Sequence, residues 1–212
     1  MTLHKALPMT IRAAGSRRLL VLALPLLLAA CGGDERPLAT VDRVDLQRYS
    51  GTWYEIARLP QWFQRGCYNS TATYSLNDDG TVKVVNRCQR EDDEPSVAEG
   101  EARVVPGSNN AKLKVRFDNW FSRLLPKVAE GNYWVIALDK DYQTVVIGEP
   151  GREYLWILAR QPRLPDDQYR ALVGLAEGTG FPVDEVRRNR GTVTGGAVPY
   201  THRQRPRHRR VG

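Results

Sequence analysis

Between residues 51 and 160 lie several runs in which apolar and polar side chains alternate with the period of two that marks strands half-buried in a sheet. The first such run, GTWYEIAR from Gly51 to Arg58, sends Trp53, Glu55 and Ala57 to one face and Tyr54, Ile56 and Arg58 to the other. Gly51 allows a tight bend or a close approach of a neighbour. A large ring beside a methyl group suits either an ordinary edge strand or a curled sheet with Trp53 plugging one end beneath open space. Pro60 interrupts the ladder, leaving Trp62 and Phe63 in a connection that runs to Gly66. A hairpin follows: Cys67 to Leu76 is rich in threonine and tyrosine, Asn77 to Gly80 is a turn, and Thr81 to Cys88 alternates valine with polar residues. Beyond the acidic loop from Glu91 to Ser96, strands are predicted at Val97 to Val105 and Ala111 to Phe117. Asp118 to Glu130 then carries Trp120, Phe121, Leu124 and Leu125 without alternation. Strands at Tyr133 to Leu138, Tyr142 to Gly148 and Glu153 to Arg160 bring the predicted total to eight. The period then changes: Pro165 and Asp166 open a helix with Tyr169, Leu172, Val173 and Ala176 on one side, stopped by Gly178 and Gly180, and a short strand is predicted around Val183 to Val186.

Eight antiparallel strands joined by neighbouring turns, then one helix, is the plan of an all-β, closed up-and-down barrel with a C-terminal helix packed outside. Alternate connections then lie at alternate ends. The start of the first strand and the tight turns form a floor, and the connections at 59–66, 89–96, 118–130 and 149–152 ring a mouth. Arg160 ends the last strand at the floor, beside Trp53. If Leu76 pairs with Thr81, Cys67 and Cys88 share a face one pairing step apart, which suits a disulfide; two reduced thiols are the alternative. Glu55 and Ala57 are cavity candidates because they share the face of Trp53, but both hairpin faces are mixed and do not say which is inward.

The ends of the chain belong to no barrel. Arg12, Arg17 and Arg18 precede an apolar run from Leu19 to Leu28, far shorter than the ~20 residues that span a bilayer as a helix, so residues 1–30 read as a secretory signal. Leu28, Ala29, Ala30 and Cys31 resemble the bacterial lipobox, which implies a lipidated Cys31 anchoring the chain to a membrane. Gly32 stands where enteric lipoproteins carry an inner-membrane retention aspartate, which implies sorting to the outer membrane, on its periplasmic face. Residues 31–44 read as a polar tether, 45–190 as the folded domain and 191–212 as a basic disordered tail. Charge sharpens this division. The formal net charge is +7, with +4 in residues 1–30 and +8 in residues 187–212, so residues 31–186 are mildly acidic at −5. That balance argues against a nucleic-acid partner and leaves the tail as a solvated extension or an arm for an anionic envelope surface.

GTWYEIAR, the Asp141–Tyr142 pair and Arg160 at the end of YLWILAR match, in order and spacing, the three signature regions of the lipocalins. The chain resembles the bacterial outer-membrane lipocalins and their apolipoprotein D relatives over about residues 45–187. The resemblance implies a floor latch of Gly51, Trp53, Asp141, Tyr142 and Arg160, and a membrane-anchored binder that stores or transports fatty acids such as palmitate, or (lyso)phospholipids. Trp62, Phe63, Trp120, Phe121, Leu124 and Leu125 are then expected to guide lipid entry at the mouth or to fold inward and cap it. The alternatives are a lipocalin-type enzyme using a cavity cysteine, Cys67, or an envelope interaction protein working through its tail. The three histidines are His4, His202 and His208, all outside the predicted barrel, so no histidine base, metal site or cofactor is expected there and catalysis is disfavoured.

Overall fold

In the computed structural model the described residues are 37–90, 95–118 and 130–189. Eight strands follow one another in space as in sequence: β1 (Gly51–Arg58), β2 (Tyr68–Leu76), β3 (Val82–Gln89), β4 (Ser96–Val104), β5 (Lys112–Phe117), β6 (Glu130–Leu138), β7 (Thr144–Gly148) and β8 (Leu155–Ala159). β1 pairs with both β2 and β8, so the antiparallel sheet closes into a barrel without an open seam at its floor. Toward the mouth the pairing of β1 changes. Its contact with β2 ends at Tyr54↔Thr71, and a short β9 (Arg187–Arg188) pairs with Ala57 and Arg58 instead. The strand expected around Val183 to Val186 is a 3₁₀ turn at Val183–Glu185; the strand comes two residues later, where the free edge of β1 supplies hydrogen bonds.

Two hydrophobic clusters divide the molecule. Trp53, Ala72, Tyr74, Val82, Val84, Ala102, Leu113, Val115, Val135, Val145, Ile147 and Leu158 fill the barrel. Ile56, Ala57, Leu59, Val146, Leu155, Ile157 and Ala159 point outward and bury against the helix α2 (Asp166–Gly178) through Leu172, Val173 and Ala176. Phe181, after that helix, points the tip of its ring at Gly148, where an added Cβ would come within 2.4 Å of Cζ. β-Bulges make this double burial work: register shifts between Glu55 and Ala57 and between Val135 and Ala137 let two successive residues face the helix before the alternation resumes.

The expected tether ends sooner than residue 44. Leu38 is buried in the outer cluster and Val44 in the barrel, the Val41 amide donates to the Val135 carbonyl, and the Val44 amide donates to the carbonyl of Asn109. The physical reason is the apolar spacing of Leu38, Val41 and Val44, which gives this stretch a face to bury across the floor. A four-residue helix, α1 (Leu46–Tyr49), capped by the Asp45 carboxylate on the amides of Gln47 and Arg48, then turns the chain into β1.

The β2–β3 hairpin pairs Leu76 with Val82, one residue from the expected register, and a bulge between Tyr68 and Thr71, where Asn69 adopts φ +49°, removes the offset before the cysteines. Cys67 and Cys88 are joined by a disulfide with Cα atoms 5.4 Å apart, closing a loop of sequence separation 21. A loop of that length is worth about 3 kcal/mol in the chain-entropy account. Reduction, or Cys67→Ser with Cys88→Ser, is expected to lower the melting temperature by roughly 6–12 °C while leaving far-UV circular dichroism of the barrel intact at 25 °C. Among the described residues no helix is long and apolar enough to cross a membrane.

Candidate functional site

At the floor, one cation fastens four segments together. The Arg160 guanidinium lies 4.0 Å from the centroid of the Trp53 ring, and Trp53 is fully buried. Its Nη2 donates to the carbonyls of Arg48, Tyr49 and Ser50, its Nη1 to that of Thr52, and its Nε to that of Tyr142. The Trp53 indole N–H donates to the Tyr49 carbonyl at 2.8 Å. Gly51 is required twice over, by φ +97° and by Arg160 Nη1, which would stand 3.2 Å from a Cβ there. Tyr142, also in the left-handed region, accepts from the Asp45 amide through its hydroxyl and packs under the Arg48 guanidinium. Asp141 stands apart from this cluster: its carboxylate is exposed and pairs with Lys140. The carboxylate that organises this turn is Asp139, which accepts from the amides of Gln143 and Thr144.

Above the tryptophan the interior is apolar with one polar patch. Tyr49, Tyr74 and Tyr133 bring their hydroxyls together, Tyr133 lying 2.6 Å from Tyr49 and 2.9 Å from Tyr74. Burial pushes the Tyr74 phenol up to about 12 and raises the other two as well, so all three are protonated at neutral pH. Two bonds among three hydroxyls use two protons, and the third is available to an oxygen in the space they line. That space, walled by Val44, Leu46, Val82, Ala102, Leu113, Val115 and Val135 with the three tyrosines, has a volume of ≈ 20 Å³ open to water-sized molecules. It suffices for about one water.

At the mouth, the bulge in β1 changes the expected face assignment. Trp53 and Glu55 face inward as the alternation requires, but Ala57 does not: the register shift turns it outward beneath α2 and brings Arg58 in, opposite the inward Trp156. Ala57 is therefore not a cavity residue. Glu55 and Arg58 form a short ion pair with only 4% and 13% of their side chains exposed. Arg58 Nη2 also donates to the carbonyls of Gln64 and Cys67, Gln64 Nε2 donates to Glu55 Oε2 at 3.0 Å, and the Trp156 indole N–H donates to Gln64 Oε1 at 3.1 Å. Burial raises the Glu55 carboxyl above its ordinary value, with Arg58 opposing. This network holds the 3₁₀ turn Trp62–Gln64 across the barrel end. Trp62 and Phe63, on the same turn, remain 77% and 44% exposed, ring against ring, with Phe63 also touching Tyr154. Trp120, Phe121, Leu124 and Leu125, like Cys31 and the basic tail, lie outside the described residues. Cys67 is held in its disulfide and so presents no free thiol.

The lipocalin-like domain family matches residues 44–190. The chain belongs to the lipocalin family. This lipocalin is 39% identical to the outer membrane lipoprotein Blc of Citrobacter freundii over 163 residues, covering 76% of this chain and 88% of that one. It is 35% identical to temperature-induced lipocalin-1 of Arabidopsis thaliana, covering 73% of this chain and 83% of that one. To apolipoprotein D of Macaca fascicularis it is 37% identical, covering 79% and 91% respectively. In fold it is similar to insecticyanin of Manduca sexta, with a TM-score of 0.57 at 16% identity over 74% of this chain and 86% of the other. Residue patterning alone left Arg58, Gln64, Trp156 and the tyrosine trio unassigned in this lipocalin. A one-residue bulge has no signature in the alternation, whereas the recurrence of tyrosine near strand ends was a usable hint for the trio.

Proposed function

We propose that this lipocalin binds a single-chain lipid, a fatty acid or lysophospholipid, inside its barrel while anchored through an acylated Cys31 to the periplasmic face of the outer membrane. The observation that carries this reading is a closed barrel whose lining is apolar from Val82 to Val135 and whose floor is sealed by Trp53 and Arg160. Every methylene moved from water into such a lining is worth about 0.8 kcal/mol, so a long chain binds without special chemistry. The ≈ 20 Å³ beside the tyrosine trio is far below an acyl chain. Binding a chain therefore requires that space to widen, and among the described residues the element placed to move at the mouth is the 3₁₀ turn at Trp62–Gln64, whose exposed rings also suit contact with lipid. The bacterial relatives are named outer membrane lipoproteins, which supports the location.

Titration of the mature chain, with Cys31 replaced by serine to keep it in solution, with a fluorescent fatty acid tests the reading. A saturable signal at one ligand per chain, displaced by palmitate, is expected; a signal that rises linearly without saturating contradicts it. Replacing Trp62 and Phe63 together by serine is expected to slow lipid transfer from vesicles about tenfold, a barrier change near 1.4 kcal/mol. Its melting temperature should stay within about 2 °C, because exposed side chains contribute little. An unchanged transfer rate would remove these residues from the entry path.

A further inference from the structure

The ion pair at the mouth has a form that packing does not require. A buried charged pair seldom stabilises a fold more than apolar side chains of the same size would. Here the bulge that packs Ile56 and Ala57 under the helix also admits one: without the register shift between Glu55 and Ala57, Arg58 would face the helix side and Ala57 the cavity. The result is a guanidinium inside a calyx whose other polar groups are Glu55 and the tyrosine trio, next to the place where β1 parts from β2 and opposite Trp156. Three of its five N–H groups are spent, one on Glu55 and one each on the carbonyls of Gln64 and Cys67. Two neutral donors stand beside it, the Gln64 amide, bonded to Glu55, and the Trp156 indole, bonded to Gln64 Oε1. Glu55 thus occupies, with one oxygen on Arg58 Nη1 and the other on Gln64 Nε2, the position that a two-oxygen anion would take between a guanidinium N–H and an amide.

We propose that Arg58, with Gln64 and Trp156, is the receptor for the anionic headgroup of the bound lipid, a carboxylate or a phosphate, and that Glu55 is the built-in stand-in which holds the site until ligand arrives. This rests on the lipid-binding reading above and names the ligand class within it. Exchange of Glu55 for the ligand anion transfers the Gln64 amide from a side chain of β1 to the ligand, so headgroup recognition removes one of the ties between β1 and the Trp62–Gln64 turn. The displaced carboxyl stays in a poorly hydrated place. Of the groups around Glu55, Arg58 carries charge, while Gln64 from the turn, Trp156 and Leu158 from β8 and Asn189 from the segment after β9 are neutral. Losing Arg58 to the ligand, Glu55 takes up a proton from solvent, so anion binding strengthens as pH falls.

Calorimetric titration of the mature Cys31→Ser chain with laurate, dodecyl phosphate and dodecanol tests this, with acetate and inorganic phosphate as headgroups lacking a chain. Laurate and dodecyl phosphate are expected to bind at least about tenfold tighter than dodecanol, a difference of 1.4 kcal/mol. The ratio should collapse toward one in Arg58→Gln and in the doubly neutral Glu55→Gln, Arg58→Gln variant, which carries the test if the single variant does not fold. Glu55→Gln alone should keep the preference, bind laurate more tightly and lose its pH dependence. Equal affinity for laurate and dodecanol in the wild type, or an undiminished ratio in the double variant, would overturn the assignment while leaving lipid binding in place. If none of the three chain compounds binds, the lipid-binding reading fails and this inference with it. Tight binding of inorganic phosphate alone would make this an anion site unrelated to lipid.

Discussion

Arg160→Met is expected to lower the melting temperature by roughly 10 °C, corresponding to a loss of about 3–5 kcal/mol in a domain of this size. The side chain donates to five backbone carbonyls drawn from the α1–β1 junction and the turn before β7, and it covers the face of Trp53. Methionine restores the hydrophobic cover but none of the donors, and the carbonyls at the α1–β1 junction and the turn before β7 lose the group that ties them together. Arg160→Lys is expected to recover little, because an ammonium cannot reach five acceptors spread in the plane of a guanidinium fork. Thermal denaturation followed by near-UV circular dichroism of Trp53 gives the check. A shift under about 3 °C would mean that the floor is held by packing alone.

Arg58→Gln is the second large effect, and its sign depends on pH. Removing the cation leaves Glu55 buried against Leu158 and Gln64 without its counter-ion, a change worth about 3–5 kcal/mol when one partner of a buried pair is lost. Burial already raises the Glu55 carboxyl from its reference value of 4.5, and loss of Arg58 raises it further. A carboxyl whose folded value is raised binds its proton more tightly in the folded state. The penalty of the variant is therefore small below pH 4.5, grows as pH rises through that unfolded value, and is complete above the raised folded value. Urea denaturation of wild type and variant from pH 4 to pH 8 should show curves that diverge with rising pH. The Glu55→Gln, Arg58→Gln double variant should run nearly parallel to wild type, because neutralising both partners removes the uncompensated charge. A penalty independent of pH would place the damage in packing.

Closure of the barrel, its order of strands and the outside helix were legible because each rests on a repeated local signal: alternation, turn residues and the switch to helical period at Asp166. Trp53 and Arg160 were legible as neighbours because chain order puts both at one end. The misassignments come from non-local or single-residue effects. Ala57 and Arg58 exchange faces at a bulge whose cause is the helix packed on β1, not the residues of β1 themselves. The same cause moves Ile136 and Ala137 together to the outer face of β6. Residues 37–44 read as a tether because three apolar side chains spaced three apart look sparse until the floor of a barrel is there to receive them. Asp141 was grouped with the latch by its place in a motif, yet the neighbouring Asp139 does the hydrogen bonding.

The central claim, that a lipid chain enters the barrel and lies beside its inward side chains, is tested most directly with palmitate brominated in mid-chain, a short-range quencher of indole fluorescence. Trp156 faces the interior near the mouth, whereas Trp62 is on the surface. Quenching that saturates at one ligand per chain, persists in Trp62→Phe and falls sharply in Trp156→Phe is the predicted result. Quenching that disappears with Trp62 and is untouched by the loss of Trp156 would place the lipid on the outside and contradict the account.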